Sequence, residues 1–216
     1  MRDFITDPLL IEKKSMETID GLLESSFPAG LNFSPGELRV VKRVIHTTAD
    51  LEYAGILEFR RDPLEAVMGA FRAGLRLVTD TRMALAGINK QRLARFGVEA
   101  ECFMDDEDVT REAKERGVTR ALISMERAAR DERNAVFVIG NAPTALMRLV
   151  KMREEGLVRP RAVIGVPVGF VGAAESKDLL ADLDVPSIIT RGRKGGSGVA
   201  AAIVNSILYQ MEEMEA

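Results

Sequence analysis

Five short runs of β-branched or apolar residues punctuate the chain: Leu75 to Thr79, Ala100 to Met104, Ala135 to Ile139, Ala162 to Val166 and Ser187 to Thr190. Most of the stretches between them carry apolar residues at helical spacing. Continuous apolar runs that alternate with helices read as strands buried on both faces of a parallel sheet, each returned by a crossover helix. The pattern predicts a doubly wound α/β fold with five mostly parallel strands. Roughly residues 1–60 show helical rather than strand periodicity, so a helical extension precedes the strand series. No repeat, linker or low-complexity stretch interrupts the pattern, which reads as one domain over residues 1–216.

Helix ends are marked by residue type. Ser34-Pro35-Gly36-Glu37 combines a capping hydroxyl, a proline at the first helical position and an acid three residues after the cap. The helix it opens is predicted to carry Leu38, Val41 and Ile45 on one face and to end at about Ala49. Thr110 is expected to cap a short helix ending at Gly117, and Thr119 the next one. Pro143 suits a first helical turn, and Asn141 and Ser176 are residues of capping type. The acidic tail Glu212–Glu215 reads as a solvated helix end.

Bulk composition narrows the partners. The net charge of −3 argues against nucleic acid as the main partner, which calls for a basic footprint. Lone Cys102 forms no internal disulfide. With lone His46, it also argues against a zinc or iron site, leaving only a carboxylate site for magnesium open. No apolar run approaches the roughly 18 residues of a membrane span, and the acids near the start do not suit a signal peptide. The expected location is the cytoplasm.

Chemistry collects after the strands. Asp80-Thr81-Arg82-Met83 follows the first, Gly140-Asn141-Ala142-Pro143-Thr144 the third, and a run from Gly165 to Lys177 the fourth. Arg191-Gly192-Arg193-Lys194-Gly195-Gly196-Ser197-Gly198 follows the fifth. Open α/β sheets bind ligands at this carboxyl edge, where helix N-termini offer N–H groups to anions. The last loop has no P-loop spacing. Its Gly196-to-Ala201 stretch matches a dinucleotide fingerprint in form, but lies too near the chain end for a following strand and ribose-binding acid. Arg39, Arg43 and His46 share one flank of the capped helix, and the helix dipole favours a cation at its last turns, where Asp50 at i+4 is a further partner for His46. A histidine there suits a general acid. Arg120, at a helix start where the dipole disfavours cations, points to an anionic partner.

The loops Gly140–Leu146 and Gly165–Lys177 together resemble the precorrin-8X methylmutase family, which includes the cobalt-precorrin-8 methylmutases of the anaerobic route to vitamin B12. The likeness extends in order to Ile11–Ser15, Arg43–His46, Asp80 and Met83, Thr119-Arg120 and Arg191–Ser197, and so spans nearly the whole chain. It implies a flavodoxin-like three-layer α/β/α fold, a homodimer with sites near the subunit interface, and a cofactor-free shift of a methyl group from C11 to C12 of the corrin ring. The family histidine falls on His46, as the acid that protonates the macrocycle, and the family arginine on Arg120. The substrate's rim of carboxylates suits backbone N–H groups with Arg and Lys side chains. The residues expected there are Ser15, Arg43, Arg120, Asn141, Thr144, Lys177, Arg191, Lys194 and Ser197. Each also has a plainer role open to it, a structural hydrogen bond or a solvated charge. Thr47–Asp50 and Gly192–Ser197 look more like the cobalt-handling branch, in which cobalt arrives inside the substrate. Two alternatives stand beside this reading: a non-catalytic tetrapyrrole carrier, and a nucleotide-dependent enzyme using the Gly195–Gly198 turn.

Overall fold

Strands buried on both faces divide the molecule into layers. The computed structural model describes residues 5–215, so the helical character expected of residues 1–4 lies outside the described residues. In chain order the elements are α1 (Pro8–Ser26), α2 (Pro35–Thr48), α3 (Tyr53–Ile56), β1 (Leu57–Arg60), α4 (Pro63–Arg72) and β2 (Arg76–Thr79). Then come α5 (Arg82–Gly87), α6 (Lys90–Arg95), β3 (Ala100–Glu101), α7 (Glu107–Arg116), α8 (Arg120–Ala128), β4 (Asn134–Ile139) and α9 (Pro143–Glu154). The chain ends with β5 (Ala162–Gly165), α10 (Ala173–Asp182), β6 (Ser187–Thr190) and α11 (Ser197–Glu215).

Among the described residues the sheet has six strands in the order β1-β6-β5-β4-β2-β3, which corrects the expected count of five. The added strand, β1, lies antiparallel on β6 with Leu57 opposite Thr190. Leu57-Glu58-Phe59-Arg60 alternates apolar and polar, the pattern of a half-solvated edge rather than of a buried parallel strand. The other pairings are all parallel. Strand β3 is also shorter than its apolar run, with Phe103 and Met104 beyond it packing on helices instead of continuing the ladder.

Side chains from successive strand positions enter opposite cores. Leu77, Val136, Val138 and Ile164 face α2, α4 and α11, while Val78, Phe137, Ile139 and Val163 face α8, α9 and α10. Phe137 has no exposed surface, and burying such a ring contributes about 2–3 kcal/mol. Among the described residues, no helix is long and apolar enough to cross a membrane.

The helix signals fared unevenly. Ser34 and Glu37 form the capping box of α2, and Ala49 ends that helix in the left-handed region. Thr119 caps α8 through the Leu122 N–H, and Pro143 opens α9 behind Ala142, so Asn141 is not its cap. Thr110 sits inside α7, which starts after Asp106. Acids Glu107 and Asp108 suit the positive end of the helix dipole and draw the start forward by a turn. Ser176 is likewise interior to α10, its hydroxyl turned back to the Ala173 carbonyl. The acidic tail is not simply solvated. Glu212 pairs with Arg92 and Arg95 on α6, and Glu213 with Arg39 on α2.

Candidate active site

Four loops meet at the carboxyl ends of the parallel strands, and side chains weld them together. Asp80, just past β2, has no exposed surface and accepts the N–H groups of Gly140, Asn141 and Ala142 at 2.7–2.9 Å. Burial pushes its carboxyl up, while the three N–H donors pull the other way. Thr81 caps α5 and its hydroxyl lies 2.9 Å from that of Ser197 at the start of α11. Glycine is required where backbones touch. A Cβ on Gly140 would lie 2.8 Å from Ser197 Cα, and one on Gly195 would run into the Val166 carbonyl.

Two candidate cations turn out to be tied down at this edge. Arg191 donates to Glu58 on β1 and to Asp178 on α10. Lys194 holds Asp50 and Glu52, in the turn between α2 and α3, and both carboxylates raise its ammonium pKa. Lys194 in turn holds the Asp50 carboxyl below its ordinary value. Asp50 therefore serves Lys194, and its expected pairing with His46 is not formed. The left-handed turn at Ala49 carries Asp50 off the helix path. Lys177 is fully buried, its Nζ donating to the Pro167 and Lys194 carbonyls and to Thr190 Oγ1, and burial lowers its pKa to about 8. The expectation that Lys177 meets a ligand directly is corrected: it lies beneath the loops.

The remaining rim residues are more open. Asn141 is exposed, with only its backbone N–H engaged by Asp80. Thr144 shares a hydrogen bond of 2.8 Å with the capping hydroxyl of Thr119. Arg120 reaches the Met104 carbonyl at 3.3 Å and lies 3.9 Å from Asp105, so part of the anionic partner read into its position is supplied by the chain itself.

His46 belongs to a different surface. It is exposed on the last turn of α2 and borders a cavity of about 510 Å³ between α1 and α2. Ser15, Lys14 and Thr18 line the same cavity, over a floor of Ile11, Ile19, Leu22, Ile45 and Leu51. Ile11, Ser15, Thr18 and Leu22 recur at spacings of four, three and four, one face of α1, so this wall was readable from periodicity but passed over. The flank shared by Arg39, Arg43 and His46 divides in three. Arg39 goes to Glu213, Arg43 donates to Glu12 at 3.0 Å and stacks on Tyr209, and His46 is left on the cavity. Four residues beyond His46, Asp50 joins the strand-end loops through Lys194, so the helix end adjoins the welded edge. Sequence reading also missed Glu58, Glu52 and Tyr53, whose hydroxyl lies 3.5 Å from the Gly195 carbonyl.

Chemically, the arrangement offers an exposed imidazole beside an apolar-floored cavity, next to a rim whose loops are tied together by hydrogen bonds. Among the described residues, no group of three or more His, Cys, Asp or Glu is placed to hold a metal ion. The Gly195–Gly198 turn packs against Val166 and leads into α11, with no further strand among the described residues, so it lacks the βαβ frame of a dinucleotide site.

Comparison with known proteins adds matches of three kinds, to a family model, to relatives and to a solved structure. The precorrin-8X methylmutase family model matches residues 10–210. The cobalt-precorrin-8 methylmutase of Salmonella typhimurium is 46% identical over 97% of this chain and 99% of its own, and the precorrin-8X methylmutase of Pseudomonas aeruginosa 37% identical over 98% and 100%. The crystal structure of precorrin-8X methylmutase from Thermus thermophilus superposes with a TM-score of 0.85 at 36% identity, covering 95% of this chain and 97% of that one.

Proposed function

The chain belongs to the precorrin-8X methylmutase family, enzymes of the isomerase class in vitamin B12 biosynthesis, and on that premise we propose the reaction and its agents. The protein moves a methyl group from C11 to C12 of cobalt-precorrin-8 to give cobyrinic acid. The observation that carries the mechanism is His46, an exposed imidazole at the end of α2 on the wall of the α1–α2 cavity. A proton delivered to the conjugated ring leaves the acceptor carbon electron-poor, the methyl group leaves C11 with its bonding pair to form the new bond at C12, and the proton returns to the imidazole as the product forms. One placed acid contributes about 10²–10⁴-fold. The rest comes from binding the protonated ring of the transition state more tightly than the substrate.

Substrate carboxylates are assigned to Ser15 and Arg43 on the helical side and to Arg120, Asn141, Thr144 and Ser197 on the strand-end rim. Arg191 and Lys194, each 40% exposed at the side chain, stand at the outer edge of that rim. The enzyme needs no cofactor, cobalt entering as part of the substrate, and it works as a cytoplasmic homodimer of one domain. The order of its parallel strands, 2-1-3-4-5 once the antiparallel edge is set aside, supports a flavodoxin-like fold. The cobalt form is favoured by the names of the relatives from Salmonella typhimurium and Priestia megaterium, 46% and 44% identical.

Incubating the purified protein with precorrin-8X and with cobalt-precorrin-8, and following the absorption change to the corrin product, tests the assignment. Conversion of the cobalt form is expected. Binding without turnover of either form would instead mark a tetrapyrrole carrier.

A further inference from the structure

Among the described residues, Lys177 is the only cation in the buried set, with 0% of its surface exposed. Its Nζ lies 2.9 Å from the Lys194 carbonyl, 3.1 Å from the Pro167 carbonyl and 3.3 Å from Thr190 Oγ1. An ammonium has three hydrogens and no acceptor, so one group meets three oxygens. Two of those oxygens belong to different strand-end loops, the one after β5 and the one after β6.

The same loops are already joined by backbone. Gly196 N–H donates to the Val166 carbonyl at 2.9 Å and Gly169 N–H to the Arg193 carbonyl at 3.1 Å. Holding the fold together therefore does not call for a buried charge, and burying one costs far more than burying an apolar chain of the same volume. What the ammonium adds is a positive charge directly beneath the glycine loops and a fixed spacing between them. Both favour an anion seated on top.

We propose that Lys177 is a positioning residue for the methylmutase substrate: from beneath, it fixes the loops 166–172 and 191–197 as one rim and draws the macrocycle's carboxylates onto them. This rests on the methylmutase reading above. The charged groups around it are already engaged. Asp178, next along α10, is paired with Arg191, and the Lys194 ammonium turns away to Asp50 and Glu52. Burial brings the Lys177 pKa to about 8. Above that pH the amine keeps two hydrogens for three oxygens and no charge, and the rim loses its hold.

The test is titration of the whole protein with cobyrinic acid by absorbance, from pH 6.5 to 9.5, in wild type and two variants. Wild-type affinity should be level below about pH 8 and then weaken by about tenfold per pH unit. Lys177→Met should bind about tenfold or more weakly at pH 7 and show no such dependence, with KM raised more than kcat is lowered. Thr190→Val keeps the buried volume and the charge of Lys177, removes one acceptor of the ammonium together with the hydroxyl's own bond to the Lys194 carbonyl, and should move the midpoint of the profile to lower pH. A role confined to fold stability would leave that midpoint in place. Lys177→Met binding with wild-type affinity and pH profile overturns the inference. So does an unmoved midpoint in Thr190→Val if Lys177→Met does not fold. Wild-type protein that neither binds cobyrinic acid nor converts either form of precorrin-8 overturns the functional reading itself, a result distinct from both.

Discussion

The end of α2 and the strand-end loops adjoin each other, yet they are built on opposite lines. In the loops most polar groups already have a partner. Three N–H groups point to Asp80, three oxygens to Lys177, and Arg191 and Lys194 each grip two carboxylates. At the helix end, His46 stands exposed on a cavity whose floor is apolar. A region whose donors and acceptors are satisfied internally holds its shape before a ligand arrives, and so lowers the ordering cost of binding. A region with an uncommitted titratable group is where a proton can change hands. The contrast fits the division of labour proposed above, with shape from the loops and chemistry from the helix.

The largest expected effect breaks that contrast at its chemical side. His46→Ala should lower turnover of cobalt-precorrin-8 by about 10²–10⁴-fold. Cobyrinic acid should still bind, and stability should stay within about 0.5 kcal/mol because the side chain is exposed. Single-turnover absorbance and thermal melts measure the two halves separately. Near-normal turnover would remove His46 from the mechanism.

The opposite profile is expected from the loops. Asp80→Ala leaves three N–H groups without their acceptor and should cost about 3 kcal/mol, read by denaturant unfolding. Gly195→Ala drives a methyl group into the Val166 carbonyl and should cost about 1–3 kcal/mol. In both variants the loss of binding should track the loss of structure. If either lost turnover with stability and binding intact, the loops would be taking part in the chemistry and the division would fail.

The two regions were also unequally legible in the sequence. The parallel strands stood out because burial on both faces makes them continuous apolar runs. Strand β1 did not, because one wet face leaves only alternation over four residues. His46 was placed correctly on its helix by the capping box, a purely local signal. The welds were not legible, because they join residues far apart in the chain: Arg191 and Glu58 are 133 positions apart, Lys194 and Asp50 144. No local window pairs such residues, so the cations read as free for a ligand. Lys177 was read in the same way, although periodicity carried a signal against it. Ala173, Leu180 and Ala181, at i−4, i+3 and i+4, all lie on the buried face of α10, and Lys177 shares it.

The smallest expected effect lies at the seam between the two regions, where Lys194 ties the loops to the turn after His46. The pair is partly exposed, at 40% for Lys194 and 33% for Asp50, so solvent screening keeps its net contribution small. Lys194→Met should therefore melt only slightly below wild type. The Asp50 carboxyl is held below its ordinary value of 3.8, so the contribution is complete above that pH and is lost as pH falls through the lower folded value. Melting curves of the two proteins should converge on acidification, and again at about 1 M salt, where screening cuts the interaction. A gap that persisted in both conditions would mean that Lys194 works through packing rather than charge. The seam would then be part of the rigid loop region, and the border between shape and chemistry would move toward His46.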